Sequence, residues 1–271
     1  MKGIRRVIVV LCFGWALFFA GLVDDIKAAE PGCSNLHVAL LGDSMTWIGG
    51  DDCENPMGWT YYFKRKLQPA SIYMYARSGA TITNTVNTRK DPKAYTKVLD
   101  DDNVIYNQAI RLKEDVEAGK VSLPQLVIIY AGANDAWFAS KRPGSTETDL
   151  TALENIKPTD MPSQATTLGK SLALIVKIIK EVLPESEILV VTPLEMTKVS
   201  AEKIHRLSDN IESVAKRLGC EVLRADREVE VRHSVEKRKF TNTKDGVHTN
   251  EQGAKLLSDA ITSYVKAHYC R

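Results

Sequence analysis

Short, unbroken apolar runs alternate along this chain with longer stretches whose apolar residues recur every third or fourth position. Leu36–Leu41 ends at Gly42, and Ile72–Ala76 ends before Arg77-Ser78-Gly79. Leu126–Ala131 lies between Pro124 and Gly132, and Ile188–Thr192 between Pro184 and Pro193. Runs of this length that are apolar at every position suit strands covered on both faces. Glu221–Leu223 with Ala225 predicts a shorter fifth strand. Between them, Leu168, Leu172, Ile175, Ile179 and Leu183 fall on one helical face, as do Ile204, Leu207, Ile211, Val214 and Leu218. Further helices are predicted over Val104–Ala118 and from about Asn250 to His268. Thr249 and Gln252 have the spacing of a capping box for the last. Trp59 precedes Tyr61-Tyr62-Phe63 on another helical stretch and is assigned to the core. Strands alternating with helices imply an α/β fold with a parallel sheet. Asn84–Asp102 and Ser140–Met161 fit neither period. Both are polar, and long loops of this kind often shape binding clefts.

The N-terminus reads as an address. Lys2, Arg5 and Arg6 precede the apolar stretch Val7–Val23, and Ala28-Ala29 offers a small-residue cleavage site. We expect a signal peptide over residues 1–28, a secreted or periplasmic protein, and no stable membrane insertion once the signal is removed. An uncleaved anchor is the rival reading. No linker or repeat divides the rest, so residues 33–271 read as a single domain.

Of the 271 residues, 44% are hydrophobic and 26% charged, which excludes a disordered or collagen-like chain. Without residues 1–28 the chain carries 32 basic and 32 acidic residues, so charge gives no argument for a nucleic-acid partner. No His, Asp, Glu or Cys cluster has metal-ligand spacing, and no glycine-rich phosphate loop follows a strand. No cofactor is expected.

Ligands of open parallel sheets bind beyond the carboxyl ends of the strands. Gly42-Asp43-Ser44 follows the first run and Ser78-Gly79 the second. Gly132-Ala133-Asn134-Asp135 follows the third, and Asp245-Gly246-Val247-His248 precedes the last helix. A serine hydroxyl needs an adjacent base. Only His248 combines a strand-to-helix loop with a carboxylate, Asp245, close enough in sequence to fix its tautomer. The backbone N–H groups of Ser44 and Gly79 and the side-chain amide of Asn134 are candidate oxyanion donors. Asp43 and Asp135 read as braces of their loops, and His37, His205, His233 and His268 as bystanders. The basic run Arg232–Lys239 reads as surface, with attraction of an acidic glycan as its functional alternative.

This ordered set resembles the SGNH/GDSL hydrolase superfamily, whose four blocks match Gly42-Asp43-Ser44, Gly79, Gly132-Ala133-Asn134-Asp135 and Asp245-Gly246-Val247-His248. Met45 and Thr249 depart from common family residues at positions of packing and subfamily placement. The resemblance implies ester hydrolysis through an acyl-enzyme on Ser44. The fold expected is a three-layer α/β/α sandwich with flavodoxin-like strand order, about 2-1-3-4-5. Trp47 and Trp137 follow two of the blocks directly and are candidates for a substrate cleft.

An exported chain without a membrane-binding amphipathic segment favours small-molecule or glycan esters, most of all O-acetylated carbohydrates. A lipid esterase or lysophospholipase with the same triad and a catalytically silent glycan-binding module are the rival readings. In the expected fold Cys33, Cys220 and Cys270 fall near the amino end of the sheet and Cys53 at the other. At most one disulfide is therefore expected among the first three, with Cys53 unpaired or linked through a loop.

Overall fold

The structure is a computed structural model and describes residues 33–93, 95 and 97–270; the predicted signal peptide lies outside them. In chain order the elements are β1 (His37–Gly42), α1 (Ser44–Trp47), α2 (Trp59–Leu67), β2 (Ser71–Met74), α3 (Ile105–Glu117), β3 (Leu126–Tyr130), α4 (Ala133–Trp137), α5 (Leu168–Val182), β4 (Glu187–Val191), α6 (Ala201–Arg217), β5 (Glu221–Leu223), α7 (Ala225–Glu228), α8 (His233–Glu236) and α9 (Glu251–Tyr269). The five strands pair in parallel in the order β2-β1-β3-β4-β5, the expected flavodoxin-like order.

Strand residues alternate between two cores. Ala39, Leu41, Val127, Ile129, Ile188 and Val190 face α3, α5 and α6. Val38, Leu40, Leu126, Ile128, Leu189 and Val191 face α2 and α9, where Trp59 and Phe63 are fully buried and stack edge to face. Burial on both faces explains why these strands carry no polar alternation. Helices α5 and α6 begin where a side chain can accept one of their first N–H groups. Thr167 caps α5 by accepting from Lys170 N, and Ser200 caps α6 by accepting from Lys203 N.

The expected Thr249–Gln252 box at α9 is corrected. Asn250 is the cap, its Oδ1 accepting from Gly253 N at 3.1 Å. Thr249 is drawn away because its hydroxyl donates to Met57 O at 2.8 Å and its backbone bridges to Thr243.

Among the described residues, Asn84–Asp102 forms no helix or strand. Within Ser140–Met161 the chain makes only short 3₁₀ turns, including Pro143–Thr146 and Leu153–Asn155. Buried Arg142 ties the two stretches together. Its guanidinium donates to Thr81 Oγ1, Asp101 Oδ1 and Asp100 O.

Cys33 and Cys270 form a disulfide with Cα atoms 4.9 Å apart, while Cys53 and Cys220 are free and buried. Cys220 belongs to the core under α3, α5 and α6, whereas Cys33 and Cys270 belong to the other core. The sheet separates them, which is why Cys220 is the one of the three left out of the disulfide.

Candidate active site

β1 delivers Ser44 to the carboxyl edge of the sheet as the first residue of α1. The turn before it has no room for a side chain at Gly42, where a Cβ would lie 2.4 Å from Tyr130 O and 2.6 Å from Thr46 Oγ1. Gln108 of α3 reaches the backbone here: its Oε1 accepts from Gly42 N and its Nε2 donates to Gly42 O, both at 2.8 Å, and Gly42 O also accepts from Arg77 N at 3.1 Å. An amide offers one acceptor and one donor side by side, which matches the N–H and C=O of a single residue. Asp43 caps α1 by accepting from Met45 N at 2.9 Å, and Met45 packs in the core. Burial pushes the Asp43 carboxyl up to about 7 against the Met45 hydrogen bond, with the nearby Asp135 charge pushing in the same direction as burial. Its Oδ2 has no partner among the described residues.

His248 and Asp245 ride on the loop between α8 and α9. Asp245 Oδ1 accepts from Val247 N at 3.0 Å and His248 N at 2.7 Å. Its Oδ2 lies 2.8 Å from His248 Nδ1, and a carboxylate can only accept, so Nδ1 carries the hydrogen. That leaves His248 Nε2 free to accept from the Ser44 hydroxyl, 3.0 Å away. Partial burial opposes the Asp245 charge, but the hydrogen bonds from the His248 ring and from two backbone N–H groups outweigh it and hold its carboxyl below the usual carboxylate range.

A buried carboxylate holds this loop in shape. Glu236, the last residue of α8, is fully buried. Its Oε1 accepts from Asn242 N at 2.9 Å, and its Oε2 from Thr243 N at 3.1 Å and Thr243 Oγ1 at 2.5 Å. Thr243 Oγ1 in turn accepts from Gly246 N, and Lys244 N donates to His248 O. Gly246 has φ +82°, and a Cβ there would fall 2.1 Å from Thr197 Oγ1. Opposite the loop, Thr197 N donates to Gly246 O at 2.8 Å.

The candidate oxyanion donors come from three other turns. Among the described residues the backbone N–H groups of Ser44 and Gly79 donate to no protein acceptor. Gly79 has φ +79°, and a Cβ there would lie 2.5 Å from Val98 Cγ1 and 2.8 Å from Val98 Cα. Asn134 lies in α4 and spends one amide hydrogen on Ala80 O at 2.9 Å; the other hydrogen remains for a ligand. Asp135 accepts from Ile82 N and Thr83 N, so Asn134 and Asp135 staple the segment after Gly79 to the end of β3.

Trp47 and Trp137 are 40% and 37% exposed. Each stands three residues beyond a site residue on its own short helix, Ser44 in α1 and Asn134 in α4, so each shares that residue's face. Trp137 also stacks on Phe138. The other histidines are engaged elsewhere. His37 bonds Ser71, His205 bonds Glu195, His233 faces the carbonyls of Met196 and Val199, and His268 faces Tyr264 O.

Gln108 and Glu236 were not singled out from the sequence. Each lies apart from the motif blocks, and only the fold brings it to them. The one local signal is an acidic residue, Glu236, inside the basic run Arg232–Lys239.

Such an arrangement can pass a proton from a serine to an imidazole oriented by a carboxylate, beside N–H groups able to meet a developing negative charge. Residues 40–256 match the model of the GDSL-like Lipase/Acylhydrolase family. No curated protein matches. Among solved structures, a Lactobacillus plantarum protein aligns with TM-score 0.57 and 15% identity over 87% of this chain and 99% of its own. A possible lipase from Chitinophaga pinensis DSM 2588 aligns with TM-score 0.54 and 12% identity over 86% of this chain and 98% of its own. An acetyl xylan esterase aligns with TM-score 0.53 and 19% identity over 85% of this chain and 100% of its own. At these identities the structural likeness is one of fold.

Proposed function

The chain belongs to the GDSL-like lipase/acylhydrolase family and is an ester-hydrolysing enzyme, and we propose that it is an exported serine esterase that removes O-acetyl groups from carbohydrates. The observation that carries the chemistry is the unbroken line of hydrogen bonds from Ser44 Oγ through His248 to Asp245.

In this reading His248 Nε2 takes the Ser44 proton as Oγ attacks the ester carbonyl carbon. Asp245 stabilises the imidazolium that forms. The N–H groups of Ser44 and Gly79 and the Asn134 amide receive the oxyanion; removing one such donor costs roughly 100–1000-fold in rate. His248 then gives the proton to the departing sugar oxygen. Water, deprotonated by the same imidazole, releases acetate from Ser44.

Three features support the finer reading. Trp47 and Trp137 present half-exposed rings beside the site residues, suited to stacking on sugar faces. The fold is shared with an acetyl xylan esterase. The predicted signal and the Cys33–Cys270 disulfide suit an oxidising compartment outside the cytoplasm.

The test is hydrolysis of p-nitrophenyl esters from acetate to long acyl chains, and of acetylated xylan, by the wild type and by Ser44→Ala. Preference for acetate, release of acetate from xylan, and a loss of at least about a thousandfold in Ser44→Ala are expected. Preference for long chains would transfer the reading to lipid esters. Turnover untouched by the substitution would remove Ser44 as nucleophile.

A further inference from the structure

The two polar stretches that fit no periodicity enclose a cleft of about 340 Å³. We propose that this cleft is a second glycan subsite, taking a neutral sugar residue of a polymeric substrate whose acetylated residue sits at Ser44. The choice of ligand rests on the carbohydrate reading above; the existence of the subsite does not.

Its lining includes Thr85, Asn87, Asp101, Lys141, Glu147 and Thr167. These are hydroxyl, amide, carboxylate and ammonium groups, the donors and acceptors that sugar hydroxyls use. Exposed Val86 and Pro143 add apolar surface for the C–H face of a ring. The charges select against other ligands. Asp101 is balanced by Arg142, and the lining carries Glu147 as well as Lys141, so there is no cationic excess to hold a phosphate.

The walls are prearranged. Asp101 Oδ1 accepts from Thr85 Oγ1 at 2.7 Å, Asp101 Oδ2 accepts from Asn87 Nδ2 at 3.3 Å, and buried Arg142 fixes Asp101 from behind. Among the described residues, Lys141 and Glu147 side chains take part in no ion pair. Asn84, also in the lining, is buried with its Oδ1 unpartnered.

The placement favours one continuous substrate track. Asn84 directly follows Thr83, which Asp135 pins beside Asn134. Lys141 closes the turn that leaves α4, the helix bearing Asn134 and Trp137. Asn134, Trp137 and the cleft therefore follow one another along the same edge of the sheet.

The experiment measures xylohexaose binding by calorimetry and steady-state kinetics on acetylated xylan. It uses the full-length wild type, the double variant Lys141→Ala/Glu147→Ala, and Val86→Asp, which replaces the apolar surface offered to the ring with a charge at an exposed position. Thermal melting verifies that each variant is folded. We expect xylohexaose affinity to fall, and KM for acetylated xylan to rise, about tenfold in both variants, the size of one or two lost hydrogen-bonded contacts. Unchanged affinity and unchanged KM in both folded variants would overturn the subsite while leaving the acetylesterase reading in place. Wild type that binds xylohexaose, loses it in the variants, and leaves acetylated xylan intact would keep the subsite and overturn the substrate reading. Wild type that does neither would overturn both.

Discussion

Replacing Glu236 with Gln tests whether the catalytic loop is held in shape by a buried carboxylate. The side chain is fully buried and accepts three hydrogen bonds, from Asn242 N, Thr243 N and Thr243 Oγ1. A glutamine keeps one oxygen and puts an NH₂ group where the other stood. If its oxygen faces Asn242 N, the amide opposes two donors on Thr243; if it turns over, it opposes Asn242 N. Each buried donor left without an acceptor costs about 1–3 kcal/mol; the amide takes the orientation that strands one donor, so destabilisation of about 1–3 kcal/mol is expected. In a domain of this size about 1 kcal/mol moves the melting temperature by roughly 2–4 °C, which predicts a fall of about 2–12 °C. Activity should fall further than stability alone dictates. Thr243 Oγ1 holds Gly246 N, two residues from His248, and a displacement of about 1 Å at a reacting group can cost roughly a hundredfold. The assay pairs thermal melting with p-nitrophenyl acetate kinetics well below the melting temperature. A lower kcat with little change in KM is expected. Melting within about 1 °C of wild type together with unchanged kcat would refute the reasoning.

Three further outcomes follow from the same geometry. Asp43 has its pKa raised by burial from 3.8 to about 7, so between these values the folded protein keeps a proton that the unfolded chain has released. Stability therefore falls as pH rises through this window, by about 4 kcal/mol in all. Asp43→Asn, which retains an acceptor for Met45 N, should remove that part of the slope; urea titrations of both proteins at pH 4.5, 6 and 7.5 giving parallel slopes would contradict this. Gly79→Ala should lower kcat by roughly 10–100-fold in a folded protein, because φ +79° and the 2.5 Å approach to Val98 Cγ1 force the Gly79 N–H to move; near-wild-type turnover would exclude it as an oxyanion donor. Reducing the Cys33–Cys270 disulfide, which closes a sequence separation of 237, should cost about 2–5 kcal/mol and lower the melting temperature by roughly 5–15 °C. An unchanged melt after verified reduction would count against it.

The sheet was legible because its strands are buried on both faces, so runs such as Leu126–Ala131 announce themselves by apolar density alone. The edges were less so. β2 runs Ser71–Met74 rather than Ile72–Ala76, since pairing with β1, which residue composition does not record, sets its limits. The cap of α9 went to Asn250 because Thr249 had a long-range partner in Met57. The site blocks stood out because each is a short local motif at a strand end. Gln108 and Glu236 did not, since what each does is defined by a contact with another segment. The 3₁₀ turns between Ala139 and Asn155 are too short to carry any period.

The Cys33–Cys270 bond also changes the topology of the molecule. It closes residues 33–270 into a covalent ring. A protease that cuts once within the ring, for instance in the exposed polar stretch around Val86 and Asn87, opens the ring but releases no fragment. The two pieces stay joined at the far side of the sheet from Ser44. A nicked enzyme should therefore migrate at full mass until a reductant is added, and this polar stretch can be severed without either piece leaving the domain.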